Sequence, residues 1–368
     1  MDRRTFIRKA GVFTGGAAAG AAGLAAPASA QSMPEIEWKL TSSYPKALTN
    51  LYGVAEDIAR WVGEATDGKF RITVAPVGEI AGPFEALDAV SDGKAEMAHT
   101  ASYYYTQKDP AFAFGTTVPF GLNSRQQNAW MYEGGIGLLN ELYAAYGVYG
   151  LPAGNTGAQM GGWFRKEIKS VADLKGLRMR IPGLGGATLA KLGVEPQQLT
   201  GADAAAKLAA GEIDAAEWVG PFDDLALGFH RSAKYYYHPG WWDGCGTVHL
   251  FISLDKWKAL PKTYQAIVTA AAAYANAVMQ ARYDATSPAA LQTLLSEGAE
   301  LRTFPPEVLE ACFVAANEVF DEKNAESENF ARIYAVWKDF RSDQVAWFGV
   351  TELSFDTLMA AESAAGRL

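Results

Sequence analysis

The sequence has few of the residues that build disulfide scaffolds or histidine-based metal centres. It contains two cysteines, Cys245 and Cys312, and four histidines. Two cysteines are too few for a disulfide framework, and both lie among apolar neighbours, so we expect buried free thiols. The histidines show no metal-ligand spacing: His99, His230, His238 and His249.

Basic charge is also scarce, since 32 lysines and arginines stand against 41 acidic residues, a formal net charge of −9. Binding to nucleic acid needs a basic surface, so a polyanion partner is excluded. Beyond residue 30, no uncharged apolar run has the length of a membrane span. No glycine-rich stretch has nucleotide-loop spacing, and no nucleophile elbow or catalytic Ser/His/Asp order is present.

The N-terminus has the composition of an export signal. Arg3 and Arg4 precede an uncharged Ala/Gly run over residues 10–27, which ends at Ala28-Ser29-Ala30. This order predicts a twin-arginine signal over residues 1–30, with cleavage after Ala30 and a periplasmic destination. The segment carries Lys9 and three arginines against Asp2, so its removal makes the chain more acidic by three charges.

The N-terminal half alternates between two kinds of hydrophobic periodicity. Residues 37–42, 70–74 and 95–100 have strand-like patterns, and residues 51–65 and 84–90 have helical ones. This order predicts an α/β fold with a βαβ sheet, and the chain length suggests two domains.

Three tyrosines, 103 to 105, directly follow the last of these strands. Open α/β sheets bind ligands at the carboxyl ends of their strands, so one or two of the tyrosines can line a pocket. The alternative is aromatic packing near the surface.

The segment Leu177–Ile181 alternates between apolar and charged residues, which predicts a short half-buried strand that ends at Pro182. Arg178 and Arg180 then share one face, next to a glycine-rich turn. Either they bind an anion, or both pair with surface acids and contribute little.

Two further segments place polar groups where apolar ones would be expected. Asn155 and Gln159 lie among small residues and either face a cleft or form a polar turn. Glu217 lies between Ala216 and Trp218 in a predicted strand over residues 213–219. A buried carboxylate at this position requires a cationic partner.

The chain is mostly helical from Leu254 onwards. Residues 330–348 carry much apolar surface for one late helix. Either that helix packs along both domains, or another copy of the chain covers part of it.

Three motifs together resemble the extracytoplasmic solute receptors of tripartite ATP-independent periplasmic (TRAP) transporters. They are NTGAQMGGW at 155–163, DLKGLRMR at 173–180 and GEIDAAEW at 211–218. The resemblance covers essentially the whole chain after residue 30. The second motif is specific to the family, and Gln159 with Glu217-Trp218 is typical of the branch that binds an α-keto acid together with a cation.

The resemblance implies a two-lobed periplasmic-binding-protein fold with crossing hinge strands and a long C-terminal helical segment. Domain I would comprise 31–152 plus about 248–285, and domain II 153–247. Helices over 286–368 would span the hinge and form a homodimer. The receptor would trap its ligand by closing the hinge and then dock on membrane permease subunits.

The resemblance also implies roles for individual residues. Arg180 would clamp the ligand carboxylate with two parallel hydrogen bonds, while Arg178 would lie nearer solvent. Asn155 would donate to the ligand, and Tyr103 or Tyr104 would close the first-domain side.

A bound ion completes the implied site. Sodium would be held by the side chains of Gln159 and Glu217 and the Trp218 carbonyl, since hard oxygen donors suit sodium or calcium. Arg180 and sodium would balance Glu217 and one ligand carboxylate. Asp243 lies where a calcium-binding branch has a site residue.

Three alternatives stay open from the sequence. The chain could be an exported enzyme that acts on small carboxylic acids, although a cation partner would lower the pKa of Glu217 and weaken it as a base. It could be a TRAP receptor for lactate or another hydroxy acid with calcium. A structural or adhesion module would leave the polar cleft residues unexplained.

Overall fold

In this computed structural model the described residues are 33–368, so the predicted export signal lies outside them. Within that range the chain forms strands β1 (Ile36–Ser42), β2 (Phe70–Ala75), β3 (Met97–Ala101), β4 (Val148–Asn155), β5 (Trp163–Phe164), β6 (Arg178–Arg180), β7 (Glu195–Gln197), β8 (Ala215–Ala216), β9 (Tyr235–His238), β10 (Thr247–Ser253) and β11 (Glu300–Thr303).

The α-helices of the same range alternate with the strands in the first two thirds of the chain and dominate the last third. They are α1 (Gly53–Ala65), α2 (Ala86–Ser91), α3 (Ala113–Thr116), α4 (Ser124–Trp130), α5 (Ile136–Ala144), α6 (Gly183–Lys191), α7 (Gly201–Ala210), α8 (Pro221–Leu227), α9 (Leu254–Ala259), α10 (Lys262–Ser296), α11 (Pro306–Glu326) and α12 (Glu328–Ala364). None of the helices in residues 33–368 has the length and apolarity required to cross a bilayer.

The first sheet has the strand order β2-β1-β3-β10-β4. Strand β1 is parallel to β2 and β3, which confirms the predicted βαβ arrangement, whereas β10 is antiparallel to β3 and β4. All five residues of β3 are buried, because the strand lies in the middle of the sheet. We call this sheet and the helices packed on it the first lobe.

The second sheet has the order β11-β9-β5-β8-β6-β7 and forms the second lobe. Its core includes Phe164, Met179, Tyr237, Trp242 and Phe304. Strand β11 comes from a segment that was predicted to be helical only. It pairs with β9 in parallel, so the C-terminal part of the chain also contributes to this sheet.

Two of the passages of the chain between the lobes are residues 156–162 and 239–246, which we call the crossing segments. They bond to each other: the Thr156 N–H donates to the Gly246 carbonyl (3.0 Å), and the Gly246 N–H donates to the Thr156 hydroxyl (2.8 Å). This link fixes the polar residues of both segments at the junction of the two sheets.

Several local predictions need correction. The predicted strand over 213–219 is reduced to Ala215–Ala216, because the residues after it turn away from the sheet towards the junction of the lobes. The sequence also predicts a helix that Ser124 caps and that runs through Leu142. In the structure Asn123 is the N-cap, in a capping box with Gln126, and the helical conformation is broken at Gly134 (φ +140°). The helical pattern that continues after Pro288 is part of α10, which runs through this proline, with Leu294 buried beyond it.

Both cysteines are buried free thiols, as predicted. Helix α12 buries Phe330, Ile333, Tyr334 and Trp337 in its first turns. Its second half is exposed.

Candidate functional site

The two arginines of β6 have different surroundings. Arg178 is partly exposed and forms an ion pair with Asp214 (2.8 Å), as expected for a structural surface residue. Arg180 is 1% exposed and lies at the junction of the lobes, since it is the last residue of the strand. The two arginines share one face of the strand but differ in their position along it, so Arg178 pairs at the surface and Arg180 is buried where the strand ends.

The Arg180 guanidinium is held in place by protein groups. Its Nε donates to the Leu199 carbonyl (3.0 Å), and its Nη1 donates to the Glu217 carbonyl (2.7 Å) and pairs with the Glu217 carboxylate. The guanidinium also stacks on the Trp218 ring, 4.6 Å from its centroid. Burial alone would lower the pKa of Arg180, but the Glu217 charge and other acidic neighbours raise it.

Glu217 is fully buried directly after β8. One carboxylate oxygen faces Arg180, and the other, Oε2, has no hydrogen-bond partner within the described residues. Burial raises the pKa of Glu217 to about 7 despite the opposing charge of Arg180. The Arg180 charge lowers this pKa, as expected of a cationic partner, but the desolvation penalty exceeds the attraction.

Gln159 lies on the first crossing segment with one end of its amide 3.1 Å from the Thr156 hydroxyl. The other end faces two acceptors, the Trp218 carbonyl at 2.8 Å and Asp243 Oδ2 at 3.2 Å. If that end is the NH₂ group, it donates to both. If it is the oxygen, three oxygens converge and need a cation or a carboxyl proton between them.

Asp243 lies on the second crossing segment and is 5% exposed. Burial raises its pKa well above the usual range, and the Glu217 charge raises it further, while Arg180 opposes both. Two buried carboxylates therefore share a single arginine. The resemblance left the place of Asp243 open, and the structure puts it against Gln159.

A small cavity of about 20 Å³ lies at this junction, and its walls include Tyr103, Tyr104, Gln159, Arg180 and Trp218. Glu217 and Asp243 are not among the wall residues but contact Arg180 and Gln159, which are. Five of the predicted residues therefore surround one space, with the two carboxylates behind them.

Asn155 is placed differently from the prediction. It is fully buried at the end of β4 and is not a wall residue of the cavity. Its Nδ2 donates to the Thr247 hydroxyl (3.3 Å), and its Oδ1 accepts from the Gly157 N–H (2.8 Å). This geometry indicates that Asn155 stabilises the start of the crossing segment, and it does not support a donor to the ligand.

The three tyrosines follow β3 in a 3₁₀ turn, Ser102–Tyr105, and all are buried. Tyr103 and Tyr104 stack with ring centroids 5.2 Å apart and line the cavity. Tyr105 points elsewhere and accepts from the Leu87 N–H (3.1 Å). The sequence left the choice among the three open because a 3₁₀ turn splits consecutive side chains between two directions.

Other wall residues were missed, notably Tyr44, Thr116, Thr156 and Gly246. Tyr44 follows the carboxyl end of β1 just as Tyr103 follows that of β3, so the sequence carried the same signal there. A Cβ at Gly246 would approach Gln159 Nε2 to 2.7 Å, so a side chain at this position would displace the Gln159 amide.

Comparison with known proteins identifies the family. Residues 41–327 match DctP, described as bacterial extracellular solute-binding protein, family 7. The chain belongs to the DctP family. Members of this family are the solute receptors of TRAP transporters, which work with membrane permease subunits, so the chain is an extracytoplasmic receptor and not an enzyme.

This DctP protein is 44% identical to a monocarboxylate 2-oxoacid-binding periplasmic protein of Nostoc sp., over 98% of this chain and 100% of the relative. A TRAP solute-binding protein from Bordetella bronchiseptica, with copurified calcium and picolinate, is also 44% identical, with a TM-score of 0.89. That similarity covers 90% of this chain and 99% of the other.

Two further solved TRAP solute-binding proteins contain pyruvate. One from Pseudoalteromonas atlantica has sodium and pyruvate bound, with 36% identity and a TM-score of 0.84. One from Colwellia psychrerythraea has calcium and pyruvate bound, with 35% identity and a TM-score of 0.84. Each similarity covers 87% of this chain and 98% of the solved relative's chain.

Proposed function

We propose that this receptor binds a small 2-oxo monocarboxylate, such as pyruvate, together with an oxygen-coordinated cation, by closure of its two lobes. The observation that carries the proposal is the convergence of Arg180 with the Gln159 amide, the Trp218 carbonyl and the Asp243 carboxyl group at one buried junction. A guanidinium binds the carboxylate, and a cation binds a second oxygen next to it.

The residues fit a hard cation. Gln159, the Trp218 carbonyl and Asp243 offer amide, backbone and carboxylate oxygens, and the orphaned Oε2 of Glu217 is a fourth candidate. In residues 33–368 no group of three or more His, Cys, Asp or Glu side chains is placed to hold a metal. Only two carboxylates belong to this set, and oxygen-rich sites of that kind suit calcium or sodium and not zinc.

Charge favours calcium over the predicted sodium. The sodium prediction counted Glu217 as the only carboxylate of the site, but Asp243 is there as well. With the ligand, three negative charges would face Arg180, so a divalent cation gives neutrality. Sodium gives neutrality only if one buried carboxyl keeps its proton, which the raised pKa of Asp243 permits.

The ligands of the solved relatives support this chemistry. Picolinate and pyruvate both place a donor atom next to a carboxylate, nitrogen in one and oxygen in the other, so each can chelate a cation through a five-membered ring. A hydroxy acid such as lactate has the same spacing, and it is the competing ligand class.

Calorimetric titration of the metal-stripped receptor tests the proposal. We expect pyruvate to bind in the presence of calcium, more weakly with sodium, and not in the presence of chelator alone. Propionate, which lacks the 2-oxo group, is the matched control and should not bind. If pyruvate fails to bind with either cation, the proposal is wrong. If lactate binds more tightly than pyruvate, the hydroxy-acid alternative replaces it.

We also propose the export route and the domain boundaries expected from the sequence, with β11 added to domain II because it pairs with β9. We further propose a homodimer formed through α12. The second half of α12 supports the dimer, because it exposes a series of large apolar side chains: Val345, Trp347, Val350, Leu353, Phe355 and Leu358. Such a surface on one helix is typical of an interface. Cleavage after Ala30 can be checked by N-terminal sequencing of the exported protein.

A further inference from the structure

A second cavity adjoins the proposed ligand cavity and is much larger, about 310 Å³ against about 20 Å³. The two share the wall residues Tyr44, Tyr104 and Trp218. The second cavity lies between the lobes, since its walls come from the loops after β1 and β2 and from helices α7 and α8 of the second lobe.

The lining of this cavity is apolar where the ligand cavity is polar. Leu48, Val77 and Phe84 come from the first lobe and Leu227 from the second, and none of the residues that line it is charged. An apolar chamber next to a polar one suits a ligand with a charged head and an alkyl tail.

The head of a 2-oxo acid fixes the direction of its tail. The carboxylate and the 2-oxo group occupy Arg180 and the oxygen cluster, so the carbon chain must leave on the opposite side. The ligand cavity itself has little room beside the head of the acid. Its volume is about 20 Å³, and a single water already needs about 10–15 Å³. A chain longer than that of pyruvate therefore needs the neighbouring space.

The partition between the cavities consists of aromatic rings. Tyr44 and Tyr104 line both cavities, and Phe84 packs edge-on against Tyr104 with ring centroids 5.0 Å apart. Aromatic side chains change rotamer as units, so a tail can pass where these rings meet without any change of the charged cluster.

Resting on the proposed function, we propose that the apolar cavity is a side-chain subsite, which makes this a receptor for 2-oxo acids with alkyl chains longer than that of pyruvate. Val77, Phe84 and Leu227 determine the accepted chain length, with Tyr44 and Tyr104 as the partition. Each buried methylene should strengthen binding by about fourfold, less the cost of moving the rings.

The test compares pyruvate with 2-oxohexanoate by calorimetry in saturating calcium. We expect the parent to bind 2-oxohexanoate at least as tightly as pyruvate. Val77→Phe fills the cavity from a half-buried position and should weaken 2-oxohexanoate at least tenfold while pyruvate changes less than twofold. Leu227→Phe is a second filling variant with the same expectation from the opposite lobe. Val314→Phe, at an exposed site on α11, is the matched control and should change neither.

Each other result has a definite meaning. If the parent binds pyruvate but not 2-oxohexanoate, the subsite does not exist, and the proposed function stands. Equal weakening of both acids by both filling variants would show that the cavity is only an entrance, and no effect from either would place the tail elsewhere. A parent that binds neither acid overturns the proposed function and this inference together.

Discussion

Arg180 has contacts that a lysine at the same position would not reproduce. Its planar fork donates to the Leu199 and Glu217 carbonyls while stacking on Trp218, and a lysine ammonium is a point charge without that geometry. We expect Arg180→Lys to weaken pyruvate binding by ~100-fold, equivalent to one charge-assisted hydrogen bond. Calorimetry measures this, and Arg178→Lys on the same strand is the matched control.

Arg180→Ala is a poorer test, because it leaves Glu217 buried without its partner. Breaking such a pair costs about 3–5 kcal/mol of folding free energy, so lost binding would be mixed with lost stability. If Arg180→Lys binds pyruvate like the parent, Arg180 does not hold the carboxylate.

Asp243 decides the charge of the proposed cation. Asp243→Asn keeps an oxygen next to Gln159 but removes one negative charge from the site. We expect the affinity for pyruvate with calcium to fall at least tenfold, while the sodium-supported affinity changes little, since one positive charge now suffices for neutrality. Titrations with each cation measure the two affinities. Asp214→Asn, at the surface partner of Arg178, should change neither. Equal losses with both cations would contradict the charge argument.

The residues of the site were predictable to the extent that they lie on recognisable motifs. Arg180, Gln159 and Trp218 were found in this way, through a resemblance and not through spacing alone. Tyr44 was missed although the sequence places it at the carboxyl end of β1. The placement of Asp243 was not predictable, because it depends on how the crossing segments meet the first sheet. This contact is part of the tertiary structure, and no local periodicity of the sequence encodes it.

At the scale of elements, the pairing of β3 with β10 buries two neutral histidines. Burial lowers the pKa of His99 to about 4 and that of His249 to about 3. Between pH 6.5 and 4 the unfolded chain binds a proton at His99 and the folded chain does not, so stability falls as the pH falls.

We expect His99→Gln to remove this loss. The stability advantage of the parent over the variant should shrink by roughly 2.4 kcal/mol between pH 7 and pH 4.5. Urea unfolding at the two pH values measures it, and the comparison cancels the opposite effect of Asp223 and Asp224, whose pKa values burial raises. His238→Gln controls for the loss of an imidazole. A difference in stability between parent and variant that does not change with pH would contradict the lowered pKa of His99.

Helix α12 illustrates what patterns within one element can and cannot show. The apolar stripe over 330–348 was visible in the sequence, but it divides: Trp337 is buried against Phe114 of the first lobe, whereas Trp347 is 58% exposed. A periodicity predicts an apolar face, and only the position of its neighbours shows which part of that face is covered within one chain.

The exposed part gives a prediction for assembly. We expect the double change Val350→Glu and Leu353→Glu to convert a dimer to a monomer, because it places charges in the proposed interface. Light scattering after size exclusion measures the mass. Ala266→Glu with Ala270→Glu, at exposed sites on α10, adds the same charge elsewhere and should leave the dimer intact. If the parent protein is a monomer, the proposed dimer through α12 is wrong.

For the whole molecule, the fold class followed from the alternation of strands and helices, but the closed arrangement of the lobes did not. In the structure the lobes touch directly at the cleft, since Gln198 Nε2 donates to the Tyr104 carbonyl (3.4 Å) and the Phe120 N–H donates to the Trp241 carbonyl (2.7 Å). These few contacts are weak beside the cost of keeping two buried carboxylates around a single arginine. Ligand and cation supply the compensating charges, so their binding favours the closed state.

Closure should therefore depend on both components together. We expect small-angle X-ray scattering to show a smaller radius of gyration with pyruvate and calcium than with chelator, and calcium with propionate should leave the molecule in the larger form. Val350→Glu with Leu353→Glu removes any contribution from dimerisation, so the change can be measured on the monomer. A radius that stays the same across all three conditions would mean that the lobes are already closed without ligand, and the charges of the cleft would then have to be neutralised by protons alone.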